Sequence, residues 1–246
     1  MRYAMRFGWV PDKPDQRDYL YSAIRAVVRV PQEVDLTEFC SKIENQGNLG
    51  SCTAQALAGN LEFLDNQVDA SYVDVSRLFI YYNERLLEDS VEYDSGASLR
   101  DGIRTLKNYG ACDEVIWPYV IKRFTRKPPQ KGYAQAKERC IESYHRIRSL
   151  KEMFSCITEG YPFVFGFTVY ESFEKPSVAK TGVVDMPKKD EAPIGGHAVM
   201  AVGFSQKEKR FLVRNSWGSA WGRNGYFTMP FEYLETLAAD FWTIRK

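Results

Sequence analysis

Residues 45–56 read NQGNLGSCTAQA, which sets Cys52 directly behind a Gly50-Ser51 turn and at the head of an apolar stripe. Ala54, Leu57, Ala58, Leu61 and Leu64 recur at helical spacing, so a helix is predicted from Cys52 to about Gln67. A cysteine on the first turn of a helix meets unpaired amide donors and the positive end of the macrodipole, both of which favour thiolate over thiol. Gly47 and Gly50 let the backbone turn sharply just before it. Alone, that setting suits a nucleophile or a buried cysteine that acts as a small apolar residue.

A second signal lies far downstream. Gly195-Gly196-His197-Ala198-Val199-Met200-Ala201-Val202 opens an apolar strand with a histidine behind a double glycine. Asn215-Ser216-Trp217-Gly218 follows, then Trp221-Gly222 and Gly225-Tyr226. Cysteine, histidine and asparagine are the types needed when a base takes a thiol proton and a third group fixes the base's tautomer. The chain has only two histidines. His145 sits in a strand-like run, Ser143 to Ile147, with no glycine and a cationic neighbour, which suits a surface or packing role.

Together these residues resemble the papain-like cysteine peptidases. Members of that family carry His and Asn ~130–150 residues after the Cys; here His197 follows Cys52 by 145 residues and Asn215 by 163. Further pieces fall in the family's order between Pro31 and Lys246. Pro31 to Asp35 resembles the start of the mature domain, and Gln46-Gly47 stands where the family has its oxyanion glutamine. Ser95-Gly96-Ala97 stands at the edge that binds substrate backbone, and Trp117-Pro118-Tyr119 resembles a Tyr-Pro-Tyr stretch. The resemblance implies Cys52 as nucleophile, His197 as base, Asn215 as its orienter, Trp217 as the cover of that pair and Gln46 as an oxyanion donor. It implies substrate contacts at Ser95, Gly96, Ala97, Gly196 and Ala198, a peptide or protein substrate, and no metal or cofactor. Leu49 replaces the family's usual cysteine and Thr53 its usual aromatic, features closer to divergent bacterial and viral members.

The rest of the chain bounds this reading. At ~150 residues per domain, 246 residues make one large domain or two lobes. An aromatic-rich run predicts a buried helix over Ser76–Leu87, and caps with periodicity predict helices over Ser98–Asn108 and Ser149–Glu159. Strands are predicted over Phe163–Tyr170, His197–Phe204, Arg210–Arg214 and Gly225–Met229. Helices first and strands later indicate an α+β protein. With the resemblance, the expected architecture is a helical lobe (31–137) and a β-barrel-like lobe (138–246) with the active site between them.

Residues 1–30 stand apart as an arm. Gly8 to Tyr21 mixes prolines, charges and aromatics without a helical or strand period. Either Trp9, Tyr19 or a neighbour packs at the cleft, or the arm wraps the far side of the lobes. The basic stretch Lys122 to Gly132 reads as a solvated loop between lobes, with an electrostatic docking site as the other reading.

A charge balance of 33 basic against 32 acidic residues gives no field to gather polyanions, so nucleic acid and anionic membranes are poor partners. No apolar run approaches the ~18 residues of a spanning helix. Five sparse cysteines are expected to be reduced, and a monomer is expected. The absence of a leader points to the cytoplasm, or to secretion if a leader has been removed. Two rivals share these residues: a silent relative that binds peptides in the same cleft, and a thiol acyl transferase or peptide ligase.

Overall fold

Ser76, Ser98 and Ser149 each stand one residue ahead of a helix and accept the backbone N–H three residues on, from Phe79, Asp101 and Glu152. Each bond satisfies a donor that a helix start leaves open. The computed structural model describes residues 7–24, 29–69 and 73–246; the parts of the arm at 1–6 and 25–28 lie outside them.

In chain order the main elements are β1 (Glu33–Asp35), α1 (Cys52–Asp69), α2 (Arg77–Leu87), α3 (Leu99–Asn108), α4 (Gln130–Ala136), β2 (Ser143–Arg146) and α5 (Leu150–Thr158). They continue with β3 (Phe163–Tyr170), α6 (Pro176–Thr181), β4 (Pro193–Ser205), β5 (Arg210–Arg214), β6 (Tyr226–Pro230), α7 (Phe231–Thr236) and β7 (Ala238–Arg245). Among the described residues no helix is long and apolar enough to cross a membrane.

The predicted stripe on α1 is only one of its buried faces, because every residue from Cys52 to Leu64 is buried. A helix enclosed on all sides must satisfy its polar groups internally. Glu62 does so by accepting from Ser41 Oγ, the Val75 N–H and the Arg77 guanidinium, the last at 2.8 Å. Stranding either charge of such a pair typically costs ~3–5 kcal/mol, so this pair fixes how α1 meets α2.

The strands form one antiparallel sheet in the order β2-β7-β3-β4-β5-β6, with β1 added on β4. The long β4 pairs with β3 along its first half and with β5 and β1 along its second. Helices and strands are therefore less segregated than their order suggests. The early strand β1 joins the sheet of the later lobe, and the C-terminal Lys246 returns to an ion pair with Asp65 on α1. Within the predicted basic loop, the last residues turn into α4, whose Gly132 packs against Cys112 and Ile116.

All five cysteines are free. His145 lies in β2 opposite Thr243, 8% exposed, where burial and then Arg245 hold it below its ordinary pKa.

Candidate active site

Two elements meet at the site: the first residue of α1, which is Cys52, and the middle of β4, which carries His197. The loop ahead of Cys52 is braced on both sides. Tyr119 Oη bonds Ser51 Oγ at 2.6 Å and donates to the Gln46 carbonyl at 2.9 Å. The Gly50 N–H donates to Asp94 Oδ1 at 3.0 Å. Tyr81 Oη donates to the same carboxylate and accepts from the Gly96 N–H, so one tyrosine ties the Cys52 loop to the Gly96-Ala97 edge. The Gln46 carboxamide is held by its Nε2 donating to the Leu49 carbonyl and its Oε1 accepting from Ser216 Oγ.

On β4, His197 Nε2 lies 2.8 Å from Asn215 Oδ1. That oxygen also accepts the Ser216 N–H at 2.9 Å, which identifies it as the acceptor and assigns the proton to Nε2. The other ring nitrogen, Nδ1, is buried and carries no hydrogen bond. Trp217 stacks on the imidazole at 4.9 Å between centroids, and Phe167 meets it edge-on. The backbone N–H groups of Ala198, Gly8 and Thr53 lie near Cys52 Sγ and favour its thiolate. Ala198 directly follows His197, so the strand that carries the imidazole passes beside the thiol.

Both groups are fully buried. Burial pushes the Cys52 thiol up to about 12, against the pull of those N–H donors. It pushes His197 down to about 4, only partly offset by the Asn215 bond. A group with no water around it favours its neutral form, so this pair rests as thiol and imidazole.

Water is kept out by Phe7, Gly8 and Trp9. The Trp9 N–H donates to the Gly196 carbonyl at 3.1 Å and the Val10 N–H to the Ala97 carbonyl at 3.0 Å. The Ala97 N–H donates to the Gly8 carbonyl at 2.8 Å, and Trp9 and Ala97 form a parallel bridge. Phe7 lies 6.3 Å from the His197 ring and 6.2 Å from Trp217. Gly8 crosses so close to the Cys52 loop that any Cβ would collide with the Gly50 carbonyl.

Behind this crossing the arm is pinned by charge. Asp12 accepts from the Arg100 N–H at the start of α3 and from Trp242 Nε1, and its own N–H donates to Asp240. Asp18 takes Arg100 through two bonds, at 2.9 and 2.6 Å, and Arg146 at 3.0 Å. Arg146 also pairs with Asp240 at 2.7 Å.

The structure thus gathers Cys52, His197, Asn215, Trp217 and Gln46 into one centre. Gly96, Ala97, Gly196 and Ala198 lie along the arm's path across it. Ser95 stays exposed, with its hydroxyl bonded to Ser90 and the Gly96 carbonyl. Of the arm aromatics, Trp9 reaches the cleft while Tyr19 remains 66% exposed beside Tyr144. Sequence reading did not find Asp94, Tyr81, Phe7, Gly8 or the pinning set Asp12, Asp18, Arg100, Arg146 and Asp240. Gly166 was also missed, although a glycine inside an apolar strand is a signal of close approach.

A helix that starts on the thiol, followed by an antiparallel sheet that carries the imidazole, defines a papain-like α+β fold. The model of the papain family of cysteine proteases matches residues 30–234, and the chain belongs to that family. It is 43% identical to an uncharacterized peptidase C1-like protein of Acanthamoeba polyphaga mimivirus, covering 98% of this chain and 86% of that one. Mouse pro-cathepsin H is 29% identical, over 76% of this chain and 55% of its own length. Among solved structures, xylellain, a cysteine protease from Xylella fastidiosa, superposes with a TM-score of 0.90 at 37% identity, covering 100% of this chain and 98% of that one. Bromelain from Ananas comosus, at 21% identity and a TM-score of 0.68 over 88% of this chain and 99% of its own, shares the fold.

Proposed function

We propose that the protein is a thiol endopeptidase held latent by its own N-terminal arm. The observation that carries the reading is the His197–Asn215 bond with Nδ1 left open, on the strand whose next residue, Ala198, lies against the helix-start thiol. In the working form, His197 Nδ1 takes the Cys52 proton and the sulfur attacks the substrate carbonyl carbon. The Cys52 N–H, unpaired within α1 by its position, and the Gln46 amide donate to the oxyanion. Collapse breaks the C–N bond, and His197 passes its proton to the leaving amine. His197 then deprotonates a water that attacks the thioester, which restores the Cys52 thiol and releases the acid. Trp217 shields the His197–Asn215 contact, which a low-dielectric setting strengthens.

The arm occupies the cleft at the thiol: the Gly8 backbone N–H lies near the sulfur, and its carbonyl accepts from the Ala97 N–H. Cleavage of a peptide library by a full-length variant whose arm is displaced, such as Trp9→Ala, tests the reading; a library left uncut by this variant would sink it.

Arm docking is expected to weaken as pH rises through about 6. Burial, then the charge of Asp240, pushes Asp12 from its ordinary 3.8 up to about 6, while Arg100 and Trp242 work against the rise. Arg146 and Asp18 complete the charges packed around it. A raised pKa in the docked state means that docking takes up a proton. Its contribution is full below about 4 and lost above about 6. Cys52 alkylation in the full chain should therefore be faster at pH 7 than at pH 5 beyond the thiol's own ionisation. Asp12→Asn, which mimics the protonated form, should shrink that excess. An excess unchanged in Asp12→Asn would contradict this latch.

A further inference from the structure

The basic stretch that begins at Lys122 carries charge that the fold does not neutralise. Residues 115–137 hold six of the chain's 33 basic residues and none of its 32 acidic ones, which leaves 27 against 32 for the rest. Lys122, Arg126, Lys127 and Lys131 are exposed, and Arg123 is half-buried with its guanidinium 5.7 Å from the Trp117 ring. Among the described residues none of these five cations pairs with a carboxylate. Arg139, a few residues on, pairs with both Asp65 and Asp113. Like charges set close together repel one another, and an anion laid along them removes that cost.

The stretch is held in one shape, and it starts at the catalytic loop. Turns close through the Arg123 N–H to the Val120 carbonyl, the Phe124 N–H to the Ile121 carbonyl and the Arg126 N–H to the Arg123 carbonyl, at 2.8, 3.0 and 2.8 Å. Pro128 and Pro129 then fix the backbone ahead of α4. Arg85, fully buried, donates to the Phe124 carbonyl at 2.5 Å and to the Val91 and Tyr93 carbonyls at 2.9 and 2.8 Å. One guanidinium thus ties the stretch to the segment that ends in Asp94, the carboxylate that braces Gly50. On the other side Ile121 packs on Gly47, where a Cβ would lie 3.0 Å from Ile121 Cδ1. Gly47 follows Gln46, and Lys122 follows Ile121, so the cations begin beside the loop that leads to Cys52. A ridge already ordered before it binds loses little entropy on binding.

The charge outside the ridge selects the kind of anion. A long polyanion or a membrane would lie across more of the surface, where acidic residues outnumber basic ones and repel it. A short run of carboxylates needs the ridge alone. Resting on the peptidase reading above, we propose that the ridge Lys122–Lys131 is a docking surface for an acidic segment of the protein substrate, outside the bond that is cut. Contacts there are the same before and during the chemistry, so the ridge acts on KM and leaves kcat alone.

The test uses the full chain carrying Trp9→Ala, with and without the exposed changes Lys122→Glu, Arg126→Glu and Lys127→Glu. Its peptides share one cleavable core and carry four Glu or four Gln, on the amino or the carboxyl side of that core. For the side that reaches the ridge, the Glu peptide should have a KM at least about fivefold below its Gln counterpart, as a few exposed ion pairs supply. At about 0.5 M salt that advantage should fall below about twofold. The charge-reversed chain should lose the preference and cut the Gln peptides as before; Gln at the same three positions serves if the Glu version is poorly folded. No preference for Glu on either side, or a preference that survives charge reversal, would overturn the proposal. The same peptides bound to the Cys52→Ala, Trp9→Ala protein, read by fluorescence polarisation, separate this from the peptidase reading. Glu-selective binding to that protein, with no peptide cut by the Cys52 chain, would remove the peptidase reading and keep the ridge. Cleavage without Glu preference would do the reverse. A single-stranded oligonucleotide or phosphatidylserine vesicles bound as tightly as the Glu peptide would overturn the choice of partner.

Discussion

In the arm-displaced protein, Cys52→Ala should lower peptide turnover by at least about 10⁴-fold while leaving the fold in place. The size follows from removing the atom that forms the acyl bond; knocking out a nucleophile or its base in such units costs most of the chemical rate enhancement. The fold should survive because residue 52 is a small, fully buried position at the head of α1, where alanine keeps the helix and nearly the volume. His197→Ala should cost about as much, and the double variant little more, because the two act as one unit. Steady-state turnover, with unfolding curves as the control for structure, measures this. Turnover that survives Cys52→Ala within about tenfold would assign the chemistry elsewhere.

Gly8→Val should raise turnover of the full chain by at least about 100-fold. The arm's hold on the cleft is three backbone hydrogen bonds at about 0.5–1.5 kcal/mol each and the burial of an indole at about 2–3 kcal/mol. A total of even about 3 kcal/mol leaves the cleft open in roughly one molecule in a hundred, and activity scales with that fraction. Valine at position 8 drives its side chain into the Gly50 carbonyl, so this crossing must lift. The pinning by Asp12 and Asp18 lies beyond the substitution and keeps the rest of the arm in place. Equal turnover in Gly8→Val and the unaltered chain would show that the arm does not limit access.

What could be read from the sequence was what is local. Ser98 and Ser149 announced two helices, because a cap and its N–H partner lie three residues apart. The runs Phe163–Tyr170 and Arg210–Arg214 coincide with β3 and β5, because β-branched and aromatic runs bounded by turns carry their own signal. Cys52, Gln46, His197 and Asn215 were visible as types in an order. The contacts that tie the molecule end to end were not visible. Asp12 meets Trp242 across 230 residues and Asp240 across 228, and no periodicity encodes such pairs. β1 is three residues long and forms only on β4, so its own sequence carries too little pattern. The braced loop at Cys52 was hidden for the same reason: Asp94 and Tyr81 are ordinary residues until folding brings them beside Gly50 and Gly96. Gly166 stood in plain view, but the close approach it allows became readable only with the Trp9 indole packed on it.

The central claim is that Cys52 and His197 form a reactive pair once water and substrate replace the arm, and the pH dependence of Cys52 alkylation tests it most directly. The rate is followed on the Cys52 peptide by mass spectrometry, in the Gly8→Val chain with and without His197→Ala. With His197 present, the rate should hold a plateau from about pH 5 to 8, reporting a thiol titrating well below the ~8.5 of a free cysteine. Without His197 the plateau should vanish and the rate should climb only toward about pH 8.5 and above. A Gly8→Val profile that already follows an ordinary thiol, unmoved by His197→Ala, would contradict the account.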